Sequence, residues 1–324
     1  MMPNFSKEVI ETMALDYAHA YQTFIDEELA AASATEWMAA KGGQVRFNGG
    51  KEVEIATLTT TGLGNYDSTQ TDGGAYPTGA VQSDWNTYAL AMDRGVKFAL
   101  DRTDPNDTGF LVTAENVIRE FARVQLTREQ DTYRINKLYQ IAAAGEMADT
   151  HLVKMNPDAD SVLEKLCDLQ QTLENDSEHT GGFVALINSN LKSAFLKATA
   201  DTYQQVTFEE SVEINGVRYD HVMMVSGLPC IFVPSARMQT ALEIRSGRNG
   251  QEQGGIVAAA DSKTIYALLV AWDAPLAVSK IDSLKQFGPS ENQLFDGTAI
   301  QARYLYDLFV PTGKQAAIGA LVQA

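Results

Sequence analysis

The segment from Asp104 to Glu115 (DPNDTGFLVTAE) has the residue types and spacing of a calcium-binding loop. Oxygen-bearing side chains stand at its first, third and fifth positions, Gly109 at the sixth and an acid at the twelfth, and Ca²⁺ takes about six to eight oxygens. An EF-hand loop follows a helix, however, whereas the residues before this segment alternate like a strand. Pro105 and a helix N-cap at Thr113 explain the same residues without a metal. The sequence therefore favours a turn and a helix start over a calcium site.

Side chains that could act in catalysis form no recognisable site. The chain has no His-Glu-x-x-His motif, no Gly-x-Ser-x-Gly elbow and no complete phosphate-binding loop. Cys167 lies beside the apolar stripe of a predicted helix and Cys230 lies within a predicted strand, so both are expected to be small core residues and not nucleophiles. We therefore expect no catalytic, cofactor-binding or metal-binding residues, no cofactor, and a protein that is not an enzyme.

The amino-acid composition excludes several further classes of protein. The 324 residues include 25 Lys and Arg against 42 Asp and Glu, a formal charge of −17, and 45% are hydrophobic. Such a chain can form a sizeable core, and two cysteines cannot make a disulfide scaffold. Because affinity for DNA comes mainly from Lys and Arg on phosphates, tight nucleic-acid binding is not expected. The start of the chain shows no signal-peptide pattern, and the longest apolar stretch, Tyr266 to Trp272, is too short for a membrane span.

The hydrophobic period changes from helical to strand-like near residue 45. Over the first forty residues apolar side chains recur every three or four positions, which predicts a helix. This helix is either an ordinary packing helix or an N-terminal arm that docks on a neighbouring subunit. Beyond it, Val53 and Ile55 alternate with glutamates, and a second alternating run includes Tyr88, Leu90 and Met92.

The stretch between these two runs, Thr57 to Ser83, is rich in Thr, Gly, Asp and Ser and cannot form a core. We expect a long hairpin that projects from the body of the protein. A turn at Asp93-Arg94-Gly95 and a further strand through Val96, Phe98 and Leu100 are predicted to follow. A loop of this length inside a compact domain is usually functional or disordered.

A helix of about 30 residues, about 45 Å long, is predicted to begin near Thr113. Its apolar stripe passes through Val117 and Ile135, but Arg128 and Asp131 interrupt the middle. Charges at such positions need either an ion pair within their own domain or a partner across a subunit boundary. A solvated helix face is the other interpretation.

An α/β domain is predicted to begin after Asn156-Pro157. The expected elements are, in chain order, a helix with a capping box at Ser161–Glu164, a strand at Phe183–Ile187, a helix from Leu191 to Ala198, a hairpin with Asn215-Gly216 in its turn, a strand at Leu228–Val233, a helix capped by Ser235, a Gly-rich loop at Arg245–Gly255, a buried strand at Ile265–Trp272 and a long strand at Ile300–Val310. These elements make the fold class α+β.

The segment Met92–Tyr139 contains the hairpin exit and the long helix, and within that helix Glu129, Asp131 and Tyr133 form an acid-x-acid-x-Tyr run. Gly227–Pro234 (GLPCIFVP) contains a Gly-x-Pro strand. In these motifs, and in the order of its elements over essentially the whole chain, the sequence resembles the major capsid proteins of tailed phages. The segment around the long helix is the most specific part of the resemblance.

The resemblance implies the Hong Kong 97-type, or Johnson, capsid fold. Its parts would be an N-terminal arm (1–44), an extended β-hairpin loop (45–95), a peripheral domain with the long spine helix (96–156 and 275–312) and an axial α/β domain (157–274 and 313–324). Arm and hairpin would reach onto neighbours. The loop Arg245–Gly255 would either converge around a symmetry axis or be an ordinary surface turn.

The same resemblance implies a function. The protein would assemble through pentamers and hexamers into an icosahedral shell that encloses double-stranded DNA, without sequence-specific DNA binding and without a membrane. Its partners would be copies of itself, a portal protein and scaffolding or decoration proteins. It would assemble in the host bacterial cytoplasm and reside in the virion.

Two features of some family members are not expected in this chain. The hairpin begins near residue 45, so a scaffolding domain is absent, already removed or a separate protein. Some members cross-link a hairpin lysine to a neighbour's asparagine, but no lysine occurs between Glu52 and Val96, and Lys51 at the hairpin base is a poor substitute. We therefore predict a shell without covalent Lys–Asn cross-links, so that boiled particles give no ladder on an SDS gel.

Two alternatives stay open at this point. The first keeps the fold and changes the role, to an encapsulin-like cellular nanocompartment shell, which a cargo-docking pocket and an encoded cargo peptide would favour. The second belongs to another class, an oligomeric α/β enzyme or a calcium-binding module. Size-exclusion chromatography separates these classes, because a shell elutes at megadalton mass and the second alternative as a small oligomer.

Overall fold

The structure is a computed structural model of the chain. It describes residues 33–40, 45–66, 76–101, 114–156, 162–177, 181–195, 206–249, 253–288, 292 and 296–324. Several predicted features lie outside the described residues: most of the N-terminal helix (1–32), the calcium motif from Asp104 to the cap at Thr113, the capping residue Ser161, and Ala198 at the end of its helix.

The described residues form four sheets from fifteen strands. The strands are β1 (Val45–Phe47), β2 (Glu52–Thr60), β3 (Val81–Ala89), β4 (Met92–Asp101), β5 (Leu152–Met155), β6 (Phe183–Asn188), β7 (Val206–Ile214), β8 (Val217–Val225), β9 (Leu228–Val233), β10 (Leu242–Arg245), β11 (Gly255–Ala258), β12 (Ile265–Ala271), β13 (Leu276–Phe287), β14 (Gly297–Phe309) and β15 (Ile318–Gln323). The sheet orders are β1-β2-β3, β10-β11, β5-β15-β12-β6-β9-β8-β7 and β13-β14-β4.

The seven-stranded sheet contains the largest core. Strand β12 lies in the interior of this sheet. Six of its seven residues are buried, as its continuous apolar run predicts. The helix Val162–Ser177 packs on this sheet through the predicted face, which includes Leu166, Leu169 and Leu173. The Asn215-Gly216 turn of the β7–β8 hairpin has positive φ at both residues, which is the backbone a two-residue hairpin turn requires.

The predicted long helix is present as one helical run with a wider turn inside it. It consists of an α-helix at Ala114–Phe121, a π-helical turn at Ala122–Leu126 and an α-helix at Thr127–Ala144. We call the whole run the spine helix. The Thr127 hydroxyl donates a hydrogen bond to the carbonyl of Ala122 at 2.9 Å across the π turn.

The three-stranded sheet β13-β14-β4 lies against the spine helix. A second apolar cluster joins Ile118, Ala122 and Leu126 of the helix to alternate residues of β14, among them Ile300 and Tyr304. Strand β14 runs antiparallel to both neighbours, and its pairing with β4 is continuous from Gly297↔Asp101 to Tyr306↔Met92.

Three predicted local structures are wrong. Residues 33–40 contain a short 3-10 turn at Glu36–Met38 in place of a helix, because side chains of the spine helix bind the backbone there. No turn occurs at Asp93-Arg94-Gly95, where β4 runs straight through in register with β14. Ser235 begins a three-residue 3-10 turn and caps no α-helix. In the part of the chain that the structure describes, no helix is long and apolar enough to cross a membrane.

Candidate functional site: the hairpin and the spine helix

Strands β2 and β3 form the predicted hairpin, and most of it is solvent-exposed. The two strands pair over nine positions, from Glu52↔Ala89 to Thr60↔Val81, and all residues of β3 are exposed. The strands therefore extend into the polar segment from Thr57 to Ser83 on both sides. Among the described residues of the hairpin, Val53 and Leu90 at its base pack with side chains of β13 and β14.

Large apolar side chains on the hairpin are uncovered. Leu63, Tyr66, Tyr76 and Val81 are exposed, and the rings of Tyr66 and Tyr76 meet edge to face with centroids 4.9 Å apart. Trp85 is 46% exposed, and the guanidinium of Arg46 lies 5.4 Å from its ring centroid. A cluster of exposed apolar side chains on a projecting element is typical of a protein interaction surface.

An ion-pair network holds the hairpin base against the sheet. Asp93 accepts a two-pronged contact from Arg303 at 2.8 Å and one from Lys51 at 2.6 Å, and Arg303 also binds Asp282 at 2.9 Å. Hydrogen bonds from Arg303 and Lys51 hold the pKa of Asp93 far below its usual range. Because the pKa is lower in the folded protein than in the unfolded chain, the network stabilises the fold above the ordinary carboxyl pKa of about 4 and loses this contribution as the pH falls through the lowered value.

A buried carboxylate fixes the junction between the hairpin and β4. Asp307 accepts hydrogen bonds from the backbone N–H of Ala91 at 3.0 Å, from its neighbour Leu308 and from the hydroxyl of Tyr133 at 2.7 Å. Asp307 is 3% exposed, and the ammonium of Lys137 lies 3.8 Å away. Burial, followed by the bond to Asp307, raises the pKa of Tyr133, so its hydroxyl stays a donor. The spine helix thereby fixes the direction in which the hairpin leaves the sheet.

Replacing Tyr133 with Phe should lower the free energy of unfolding by about 1.5–3 kcal/mol, the usual contribution of a hydrogen bond to a charged group. It should also speed amide exchange at Ala91, because Asp307 loses one of the bonds that hold its carboxylate. Urea unfolding and hydrogen exchange measure the two effects. Tyr139→Phe, on the same helix and without a described hydroxyl partner, is the matched control. Equal effects of the two variants would contradict the role of Tyr133.

Glu129 joins the spine helix to β4 and β14 and, through Arg94, to the Gly-rich loop. Its carboxylate accepts from Arg94 Nε at 2.6 Å and from the hydroxyl of Tyr306 at 2.7 Å. Arg94 also donates to the carbonyl of Arg245 at 3.0 Å, at the start of the loop that connects β10 and β11. Burial disfavours the charged guanidinium, but the bond to Glu129 leaves the pKa of Arg94 raised.

Asp131 holds the chain that follows the N-terminal segment. Its carboxylate is fully buried and accepts from Ser33 Oγ at 2.7 Å, Ala34 N at 3.1 Å, Thr35 Oγ1 at 2.5 Å and Arg237 Nη1 at 2.8 Å. Arg134, one turn further on, is also buried and donates to the carbonyl of Thr35. The root of the N-terminal segment is therefore fixed to the middle of the spine helix.

The acid-x-acid-x-Tyr run thus positions three different parts of the molecule. Glu129 binds the sheet and loop, Asp131 binds the arm root, and Tyr133 binds the hairpin exit through Asp307.

Asp131 pairs with Arg237 and Glu129 with Arg94, so the interpretation as a solvated face is wrong for both acids. The two arginines lie in other parts of the predicted division, so these are contacts within one chain but not within the predicted peripheral domain. The interpretation as a solvated face holds for Arg128, which is exposed.

Sequence reasoning missed the residues that complete these contacts. The missed partners are Arg94, Arg237, Arg303 and Asp307. Of these, only Asp307 had a local signal, an acid within an otherwise apolar alternating strand. In the described part of the chain no group of three His, Cys, Asp or Glu side chains is placed to hold a metal ion.

The two cysteines have the environments of packing residues. Cys230 is buried in β9, and burial raises its pKa to about 12. Cys167 is partly exposed on its helix, and burial raises its pKa as well.

Iodoacetamide at pH 8 should alkylate Cys230 at least about a hundredfold more slowly in the folded protein than in urea, because the thiolate is the reactive form. Cys167 serves as the internal reference and should react at an intermediate rate. Mass spectrometry of the two peptides follows both rates. Rapid alkylation of native Cys230 would contradict its assignment as a core residue.

Comparison with known proteins supports the fold. No protein-family model matches the sequence, and no curated protein matches it either. The capsid structure of the cyanophage P-SCSP1u is 13% identical, with a TM-score of 0.55, over 90% of this chain and 88% of that chain. A structure from Microbacterium phage Oxtober96 is 14% identical, with a TM-score of 0.50, over 90% and 91%. A virus-like particle from Pyrococcus furiosus is 13% identical, with a TM-score of 0.47, over 95% and 99%.

At these identities the comparisons establish the fold. The match to the cyanophage capsid structure covers 90% of this chain and 88% of that chain, so the likeness extends over most of the mixed helix-and-sheet architecture. The described chain therefore shares its fold with the cyanophage capsid structure, a mixed helix-and-sheet fold of the Hong Kong 97 type.

Proposed function

We propose that this chain is the major capsid protein of a tailed bacteriophage. Copies of it assemble through pentamers and hexamers into an icosahedral shell that encloses double-stranded DNA. The shell is held by non-covalent contacts, without Lys–Asn cross-links. The protein acts in the virion and assembles in the cytoplasm of the host bacterium.

The exposed hairpin is the observation that carries this proposal. Its base is fixed by Asp93 and Asp307, while its outer part presents Leu63, Tyr66 and Tyr76 to solvent. In a single copy these exposed side chains do not stabilise the fold, because apolar side chains contribute to stability only when they are removed from water. Contact with a neighbouring copy supplies the missing burial.

The division into four parts is a proposal of the same kind. The proposed parts are the arm (1–44), the hairpin loop (45–95), the peripheral domain (96–156 and 275–312) and the axial domain (157–274 and 313–324). The separate apolar clusters on the seven-stranded sheet and on β13-β14-β4 support two main domains, and the first cluster also includes Ile135 and Leu138 of the spine helix.

Several modest interfaces related by symmetry suit a shell. A weak interface that forms wrongly can dissociate and form again, whereas the interfaces together stabilise the closed particle. Portal and scaffolding or decoration proteins are the further partners. The charge of −17 suits a wall that does not bind phosphate tightly.

Expression of the full chain followed by size-exclusion chromatography and negative-stain microscopy tests this function. Closed particles of megadalton mass are the expected result. Boiled particles should run on an SDS gel at the subunit mass of 35.3 kDa without a covalent ladder. A monomer or small oligomer under all conditions, including with the scaffolding protein of the same phage, would contradict the proposal.

A further inference from the structure

Asn48 and Gly49 form one of three Asn-Gly pairs in the chain, and they lie in the exposed turn that joins β1 to β2. An Asn-Gly pair can react with itself, because the backbone nitrogen of the glycine can attack the side-chain carbonyl carbon of the asparagine and close a five-membered ring. Glycine favours this reaction because it has no Cβ to obstruct the approach. The structure describes both residues of two pairs, Asn48-Gly49 and Asn215-Gly216, and their environments differ.

The attacking group at Asn48-Gly49 is open to solvent. Gly49 is exposed, its φ is 82°, and no atom lies within 4 Å of the position that a Cβ would take. Its backbone N–H donates no hydrogen bond to any residue that the structure describes. The Gly49 nitrogen therefore has room to approach Asn48 and loses no described hydrogen bond when it does so.

The side chain of Asn48 is exposed as well. Its Nδ2 donates to Glu54 Oε1 at 3.2 Å on the solvent side, and such a bond competes with water and contributes little net stability. The backbone bonds that close the turn are long. Asn48 N donates to Glu52 O at 3.3 Å and Glu52 N to Gly49 O at 3.4 Å, against a usual distance of about 2.9–3.0 Å. A turn held this loosely reaches the ring geometry at low cost.

Asn215-Gly216 is an internal control in the same chain. Asn215 is half-buried, and its Nδ2 donates to the carbonyl of Trp37 at 2.6 Å. The pair forms the tight two-residue turn between β7 and β8, where Ile214 and Val217 face each other in the ladder. The amide that would have to leave during ring closure is thus bound to the protein, and ring closure would break that bond.

We propose that Asn48-Gly49 is a site of spontaneous covalent modification in the folded protein, and that the acid formed there releases β1 from β2. In the first step the bond from Gly49 N to Asn48 Cγ forms while the bond from Cγ to Nδ2 breaks, and the amide proton of Gly49 leaves with the amino group as ammonia. Water then adds to one carbonyl of the cyclic imide. Opening on the side-chain side gives aspartate, and opening on the backbone side gives isoaspartate.

Both products change the turn. Either acid replaces the amide that donated to Glu54, so two carboxylates, which repel each other, face one another where a hydrogen bond stood. Isoaspartate also adds a carbon atom to the main chain between β1 and β2. Strand β1 pairs over the three residues Val45–Phe47 only, and the guanidinium of Arg46 lies over the ring of Trp85. Loss of this short pairing therefore uncovers the base of the hairpin.

Peptide mass spectrometry of the full chain tests the assignment. Trypsin cuts after Arg46 and Lys51, so Asn48 and Asn215 fall in separate peptides. Native protein and protein in guanidinium chloride are incubated side by side at mildly alkaline pH, and the acid form of each peptide is followed over time. Each site is thereby compared with its own rate in the unfolded chain.

Folding should slow Asn215 at least about tenfold and leave Asn48 within about threefold of its unfolded rate. Tenfold corresponds to about 1.4 kcal/mol, which is within the net contribution of one hydrogen bond. Two acid peptides of equal mass, aspartyl and isoaspartyl, are expected from Asn48, because only the cyclic route gives both. Native Asn48 slowed as much as Asn215, or a single aspartyl product, would overturn the inference.

Asn48→Gln and Asn48→Asp test the release of β1. Glutamine keeps an amide but would close a larger and slower ring, so this variant should form no acid at position 48. Asn48→Asp carries the charge of the product from the start, and the amides of Val45–Phe47 should exchange at least about threefold faster in it than in Asn48→Gln. Threefold corresponds to about 0.65 kcal/mol, which is within the range for exposed charge pairs. Equal exchange in the two variants would overturn the proposed release.

Discussion

Removing the outer part of the hairpin should abolish shell assembly and leave the subunit folded. In the variant, residues 61–80 are replaced by Asn-Gly between Thr60 and Val81, which face each other in the ladder. Asn-Gly is the two-residue turn that matches the twist of paired strands. The replacement removes Leu63, Tyr66 and Tyr76, and each large apolar side chain that is fully buried at an interface contributes about 1.5–3 kcal/mol.

The expected loss of several kcal/mol per copy corresponds to a decrease of at least about a hundredfold in the association constant, since each 1.4 kcal/mol is about tenfold. Particle yield measured by sedimentation and microscopy should fall below detection. The thermal midpoint of the unassembled subunit should stay within a few degrees, because the removed residues that the structure describes, 61–66 and 76–80, lie outside all three apolar clusters.

A subunit that unfolds after this replacement would show that the hairpin supports its own chain. Full particle yield would show that the outer hairpin is not an assembly element. A shorter variant, with Asn-Gly between the paired residues Ala56 and Trp85, tests the remaining length of the ladder. It should also fail to assemble, because it removes the same exposed apolar side chains together with more of the ladder.

The hairpin and the spine helix could be predicted because their signals are local. Alternation around Val53 and Ile55, the scarcity of large aliphatic residues beyond them, and a helical period over some thirty residues each depend on neighbours in sequence. The buried strand β12 was predictable for the same reason, since a short continuous apolar run needs no distant information.

The features that sequence reasoning missed depend on distant partners. Asp93-Arg94-Gly95 has the composition of a turn, yet Arg303, which is 210 residues from Asp93, and Glu129, which is 35 residues from Arg94, bind these side chains while β14 extends the strand. Residues 33–40 have helical spacing, but the carboxylate of Asp131, about a hundred residues away, binds the backbone and hydroxyls there and replaces the helical bonds.

The acid-x-acid-x-Tyr run in the spine helix was predicted in part: the sequence indicated the residues but not their distant partners. The resemblance to phage capsid proteins singled out Glu129, Asp131 and Tyr133, and the charged middle of the stripe required partners. Which partners they bind could not be inferred, because Arg237 and Asp307 lie 106 and 174 residues from their contacts in the helix. An acid at a position where the apolar period calls for a hydrophobic residue, such as Asp131 or Asp307, indicates a buried position, but the local sequence does not show which residue it binds.

Replacing Asp131 with Ala should lower the free energy of unfolding by about 3–5 kcal/mol, the range for removing one partner of a buried ion pair. The loss leaves the guanidinium of Arg237, which is 20% exposed, without its carboxylate. It also leaves Ser33 and Thr35, both buried, without the acceptor that their hydroxyls share. Asp131→Asn keeps the size of the side chain but turns N–H groups towards residues that are themselves donors. The free energy of unfolding should therefore decrease only somewhat less than in Asp131→Ala.

Urea unfolding of subunits below the concentration of assembly measures the effect, and limited proteolysis near residue 33 reports release of the arm root. Arg128→Ala is the matched control, because this residue lies one turn away on the same helix and is exposed, and surface substitutions usually change stability by less than about 0.5 kcal/mol. A loss below about 1 kcal/mol for Asp131→Ala would mean that the carboxylate does not hold the arm root. The N-terminal segment would then need a neighbouring copy to fix even its junction with the spine helix.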